Sequence, residues 1–450
     1  MENKKQTTYI ALLLLHIVIG GVIYVVPFLS VLLTMLTFVS GLVILLKTRN
    51  KNNEALYLSA YVVGIEVFLR MTNGMIFNEY GKYSVMIFLL IGMFYTGFSR
   101  NAWPYWLFLI FLVPGIIVST ATLSYETNMR KAIAFNISGP VCLGMAAIYC
   151  FDRKITIREL RSLLTTFAMP IVTVVTYLFL YTPSVRDVVT GTQSNFETSG
   201  GFGPNQVSTM LGFGTFVFFS QFLLNSPTRR LQIINIALTL MTAYRGIITF
   251  SRGGMITGCI MILLLVIMAY LKLNKEGRSK MLVVFIFTVL ASLSVWIYSS
   301  YQTSGLIDKR YANQDALGRE KESKLSGREE LIKTEIQMFV DHPFLGIGVG
   351  KNKEYRQELT GIDLATHNEI TRMLAEHGLL GVINLLILFI VPLLLSLGNR
   401  NHIFLFCFLA FWLFTINHAA MRLAAPAFVY ALTLLKVYPD EEEEDRLHRE

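Results

Sequence analysis

The chain has 450 residues, of which 54% are hydrophobic and only 15% charged, with a mean hydropathy of +0.54. A soluble domain carries roughly 25% charged residues, so these values exclude a soluble globular protein and point to a chain solvated by lipid. The formal net charge of +9 reports membrane topology, because short cytoplasmic loops collect Lys and Arg, and it requires no nucleic-acid partner.

Apolar runs of about 17–25 residues, the length that crosses a hydrocarbon core, recur along the chain. They predict spans at 8–26, 28–46, 55–71, 83–98, 103–123, 132–151, 162–181, 207–224, 231–250, 254–271, 281–299, 378–397, 403–417 and 423–437. The expected fold class is an all-α polytopic membrane protein with about 12–14 transmembrane helices and one large, partly helical outer loop. The N-terminal stretch is read as the first span; it is too long and lacks the small-residue site of a cleavable signal. Alternate loops carry Lys47, Arg49 and Lys51, then Arg153, Lys154, Arg158 and Arg161, then Arg229 and Arg230, then Lys272 to Lys280, and Arg400. These loops belong in the cytoplasm, together with both termini. The acidic run Glu441–Asp445 is expected to be a solvated cytoplasmic end. The four cysteines all fall in predicted spans, without metal-ligand spacing, and read as core packing.

The layout is therefore residues 1–299 with eleven spans, a loop over 300–366, an interfacial helix with the last spans over 367–438, and an acidic tail over 439–450. Two outer segments are long. Residues 182–206 have no periodicity and form a Gly/Ser/Thr-rich loop leading into the span at Val207. In the second, Ser326-x-x-Glu329 is a capping box. Ile332, Ile336, Phe339 and Val340 then make an apolar stripe, so an amphipathic helix over about 327–340 lies against the membrane mouth. It stops at His342-Pro343. Gly346, Gly348 and Gly350 follow, a turn whose bare backbone suits close approach to a ligand. A second capping box, Thr366-x-x-Glu369, opens the next helix, with Glu369, Arg372 and Glu376 on one face and a kink expected at Gly378.

Three polar islands stand out. Arg252 opens a helix at the outer end of a span. Backbone N–H groups and a guanidinium there make an anion site, although an arginine snorkelling to the interface fits equally. Arg328 offers the same pairing at the start of the loop helix, against the plain alternative of a solvated side chain. His367 sits in a first helical turn, where the positive helix end favours a neutral imidazole able to take a proton. The structural alternative is a packed histidine. Glu66 and Arg70 are four apart and read first as a buried structural ion pair, with a polar cavity as the alternative. Arg422, close to His418, adds a further phosphate contact. No phosphate-binding glycine loop, dinucleotide fingerprint, metal cluster or internal repeat is present, so no cofactor or metal is expected.

Four segments in order resemble the O-antigen ligase and O-antigen polymerase superfamily. They are Gly203-Pro204-Asn205-Gln206; Ser251-Arg252-Gly253-Gly254; Ser326-Gly327-Arg328 with 341–350; and His367-Asn368-Glu369-Ile370 running into 376–381. The resemblance implies a GT-C-like, metal-independent inverting glycosyltransferase of the bacterial inner membrane, with its site at the periplasmic face. It would take a glycan from undecaprenyl diphosphate to a sugar hydroxyl. His367 would be catalytic and Arg252 and Arg328 would bind the diphosphate, with Asn205, Ser251, Glu369 and Arg422 as accessory residues. A polymerase of surface polysaccharide is expected first, with a chain-length regulator as a further partner. The alternatives are a ligase that uses a lipid A-core acceptor and, in another class, a lipid-linked oligosaccharide flippase.

Overall fold

The computed structural model describes residues 2–321, 328–361, 366–419 and 421–440. The first capping box, at Ser326, and the acidic tail from Glu441 lie outside the described residues. Helices dominate: α1 (Glu2–Val25), α2 (Leu29–Thr48), α3 (Glu54–Met71), α4 (Tyr80–Thr96), α5 (Trp103–Thr122) and α6 (Met129–Cys150) come first. Strand β1 (Lys154–Thr156) precedes α7 (Ile157–Tyr181), a short α8 (Val185–Val188), α9 (Pro204–Leu224), α10 (Arg229–Ile247), α11 (Arg252–Lys272) and α12 (Lys275–Gln302). Then come α13 (Leu306–Tyr311), α14 (Arg328–Asp341), α15 (Asn352–Thr360), α16 (Glu369–Gly398), α17 (Leu405–Thr415), α18 (Ala424–Ala431) and β2 (Lys436–Tyr438).

Every predicted span has a helix, and nine of those described are long and apolar enough to cross a membrane. The others, including α3, α4 and α10, are shorter or more polar. α17 and α18 are the shortest, with 11 and 8 residues. The protein is an all-α polytopic membrane protein. Its core is the buried set α3, α6, α7, α9 and α18, whereas α1, α2 and α12 expose long apolar faces such as Leu14, Leu36 and Val283. That is the expected division when lipid rather than water covers the surface.

The two ends of the bundle differ. At one end β1 and β2 pair in parallel, Ile155 opposite Val437, and tie the C-terminal segment to the start of α7. Arg153 there donates to the carbonyl of Gly97 at 2.8 Å and stacks 3.8 Å from the Tyr149 ring. The loops with the predicted cytoplasmic Lys and Arg residues all gather at this end. At the other end lie the 182–203 loop, α13 to α15, the N-terminus of α16 and the turn between α17 and α18.

Several expectations change in detail. The span entered by the first outer loop begins at Pro204, one turn before Val207, because proline fits the first helical position. Helix α14 stops at Asp341, as Pro343 requires, but its buried face is Leu331, Thr334, Glu335 and Met338; Ile336 and Val340 of the predicted stripe are exposed. α16 is capped by Asn368, whose side chain accepts from Ile370 N at 2.9 Å, and not by Thr366, which is drawn away to Glu335. The kink at Gly378 is present, with φ 59° and ψ −137°.

The glycine turn does not present its backbone to a ligand. The N–H of Ile347 donates to Ala375 O at 2.9 Å, Gly350 N to the Glu376 carboxylate at 2.8 Å, and Val349 N to Gly115 O at 3.1 Å. Gly346, Gly348 and Gly350 all have positive φ, and the turn satisfies carbonyls released by the kink. Of the cysteines, Cys142, Cys150 and Cys407 are buried as expected, but Cys259 is exposed.

Candidate functional site

The site region is assembled by the turn between α17 and α18. Its Ile416 carbonyl accepts from Glu369 N at 2.9 Å. Its His418 carbonyl accepts from Asn205 Nδ2 at 3.4 Å, and Arg422 donates to the Thr366 carbonyl at 3.0 Å. One turn thus ties the N-termini of α9 and α16 to each other and holds Thr366 and Glu369 on either side of His367.

α11 joins through the Ser-Arg-Gly-Gly motif. Ser251 Oγ donates to Asn205 Oδ1 at 2.8 Å, and Ser208 Oγ donates to Ser251 O at 2.7 Å. The glycines explain the rest of the motif. A Cβ on Gly254 would lie 2.3 Å from the Ser208 carbonyl group, and one on Gly253 would strike the His418 ring at 2.7 Å. A Cβ on Gly258 would stand 2.5 Å from Gly212 O. Bare backbone therefore lets α9 and α11 touch along their length, the small-residue packing that membrane helices use in place of a hydrophobic drive. Arg252 is the first residue of α11 and half-buried, with Nη1 3.4 Å from Arg310 O.

His367 is half-buried between Thr366 and Asn368, one residue before the cap of α16 and so outside the first helical turn expected for it. Thr366 is held by a buried cluster that the sequence did not announce. The Glu335 carboxylate accepts from the hydroxyls of Thr366 and Thr371 and from Arg356 Nη2 at 2.6 Å. Both charged side chains are almost fully enclosed, at 0% and 1% exposure. Burial raises the Glu335 pKa above the usual carboxylate value; the two hydroxyls and the guanidinium pull the other way. Two turns upstream on the same helix, the backbone of Arg328 opens α14; its side chain lies outside the described residues.

Glu369 is consumed by Arg372, whose guanidinium also reaches Glu376 at 2.8 Å. The expected charged face of this helix exists, but it is buried, with two carboxylates sharing one guanidinium. Glu66 likewise pairs with Arg70 at 3.0 Å and accepts from Ala424 N at 2.8 Å, capping α18. Its role is structural. His418, given little weight in the sequence, lies at the centre of the layer: its ring nitrogens sit 3.0 Å from Phe414 O and 3.1 Å from Thr209 Oγ1.

A polytopic helical membrane protein with one polar layer built from four discontinuous segments is the class that this fold and site define. Residues 236–386 match the family model described as O-antigen ligase. That match covers about a third of the chain and supports the resemblance to the O-antigen ligase and polymerase superfamily. The match spans α10 to the kinked part of α16 and so contains Arg252, Arg328 and His367, while Asn205 and Arg422 lie outside it. No curated protein matches the chain.

Proposed function

We propose that this protein is a metal-independent, inverting glycosyltransferase of the bacterial inner membrane. It moves a glycan from undecaprenyl diphosphate to a sugar hydroxyl at the periplasmic face, as a polymerase of surface polysaccharide. The observation that carries the reading is the convergence, through the α17–α18 turn, of the segments that hold Asn205, Ser251-Arg252, His367 and Arg422. The charge-rich loops at the opposite end support a cytoplasmic location for that end.

In this mechanism Arg252 and Arg328 grip the donor diphosphate, and His367 removes the proton from the acceptor hydroxyl. The oxygen attacks the anomeric carbon from the side opposite the diphosphate; the carbon–oxygen bond to phosphate breaks as the new one forms, with inversion. The arginines stabilise charge developing on the leaving group, the preorganised electrostatics that often dominates a rate enhancement. Losing a general base lowers a rate by roughly 10²–10⁴-fold. Purified His367→Ala is therefore expected to keep its melting temperature and lose glycan transfer by that factor; transfer near the wild-type rate removes His367 from the chemistry.

The ligase reading is favoured by one observation, the match of residues 236–386 to the O-antigen ligase family. Lipid-linked repeat units given alone to the purified protein separate the two. A ladder of products marks a polymerase, and product only after addition of lipid A-core marks a ligase.

A further inference from the structure

Helix α14 has two apolar sides, and only one of them meets protein among the described residues. Its buried side carries Leu331, Thr334, Glu335 and Met338, and Met338 packs with Ile347 and Ala375. Beside it Ile332, Ile336, Phe339 and Val340 form a second stripe at helical spacing. Ile336 is 46% exposed and Val340 61%. The turn after the helix adds Phe344 and Leu345, both exposed. Beyond the stripe the helix is polar, with Lys333 and Gln337 exposed.

The depth of this stripe is set by α16. Pro343 O accepts from Leu379 N at 2.7 Å, and a Cβ on Gly378 would lie 2.6 Å from Pro343 O, so the turn is seated on the kink. From Leu379 to Gly398 about 20 residues rise roughly 30 Å, the thickness of a hydrocarbon core. Leu379, Leu386, Ile390 and Leu394 are the exposed apolar residues of that run. The kink therefore marks the boundary of the core, and Phe344 and Leu345 stand beside the first residue below it.

The backbone of the turn meets the demand that lipid makes. Each N–H from Gly346 to Gly350 has a protein acceptor: His342 O, Ala375 O, Glu376 O, Gly115 O and the Glu376 carboxylate, in that order. The hydroxyls of Thr122 and Ser119 on α5 donate to Ile347 O and Val349 O, each at 2.9 Å. Non-helical backbone persists at membrane depth only where protein satisfies its polar groups.

We propose that α14 lies in the membrane surface at the polar end of the bundle, with Ile336, Val340, Phe344 and Leu345 inserted among the acyl chains of that leaflet. The partner is bulk lipid, and the contact continues from the lipid-facing residues of α16. A helix with one apolar arc and a charged flank binds an interface in this way. The other side of the same helix carries Glu335, which holds Thr366 beside His367. The bilayer is thus one wall of the frame around His367, whatever reaction takes place there.

Cys259 is exposed and the other three cysteines are buried, so Val340→Cys in a Cys259→Ser background takes a single environment-sensitive fluorophore. The full chain is placed in phosphatidylcholine nanodiscs, with plain acyl chains or with chains brominated near the headgroup. An interfacial helix sinks its apolar face roughly 5–10 Å into the headgroup boundary, so bromine is expected to cut the emission about twofold or more. A label on Leu386→Cys is quenched by bromine deeper in the chain, whereas one on Lys333→Cys is quenched by iodide from the water. If Val340→Cys folds poorly, Phe344→Cys serves as the reporter. Emission at position 340 that responds to iodide and ignores bromine overturns the proposal. Emission shielded from both quenchers overturns it too, because protein then covers the stripe.

Discussion

The two sides of the polar end treat charge differently. On the α14–α16 side, buried charges are paired: Glu335 with Arg356, and Glu369 and Glu376 together on Arg372. On the α11–α13 side, Arg252 and Arg310 lean on backbone carbonyls and Lys321 on a hydroxyl. Paired buried charges repay little more than their own desolvation, and their value lies in fixing one arrangement. The first side is thus a frame that holds the segment around His367, and the second joins α11 to α13 through carbonyl and hydroxyl contacts.

Breaking the frame has the largest effect. Arg356→Met leaves the Glu335 carboxylate buried without its cation, a loss of about 3–5 kcal/mol. A lower melting temperature in detergent, with glycan transfer lost in parallel, is expected; a variant as stable as wild type removes the frame from the comparison. Next comes the seam on which both sides hang. Gly258→Leu forces a side chain against Gly212 O and is expected to destabilise by about 1–3 kcal/mol or more, read as a drop in the unfolding midpoint. The smallest effect on stability is on the cationic side. Arg252→Lys keeps the charge but loses two-point contact, so stability stays within about 0.5 kcal/mol while the KM for the lipid-linked donor rises. An unchanged KM shows that no bidentate grip is made there.

Much of the scaffold was legible because it depends on local rules. Span lengths, the proline stop after Asp341 and the kink at Gly378 follow from hydropathy and backbone freedom alone. Loop charge parity sorted the loops into the two ends that the helices then build. The Ser-Arg-Gly-Gly motif was visible as a pattern, but its glycines proved to serve the contact of α11 with α9 and with the His418 ring. Other readings failed where a distant partner intervened. Thr366 looked like a helix cap until Glu335 claimed its hydroxyl. The face of α14 was misassigned because only apolar residues were counted inward, whereas Glu335 points inward to an arginine 21 positions away. The glycine turn carried the right conformational signal but the wrong neighbour.

The sequence by itself determined the class of protein, the places of its apolar helices, and a short list of candidate residues whose chemistry suits phosphate or a proton. Those properties follow from lipid thickness, loop charge and residue chemistry, which act on short stretches of chain. Only the tertiary structure decided that the α17–α18 turn knots the motifs together, that Glu369 is already paired, and that α14 turns Glu335 inward and leaves Ile336 and Val340 exposed. Such outcomes depend on which surfaces meet, and helices far apart in the chain meet through small-residue seams and buried polar contacts that leave no periodic trace.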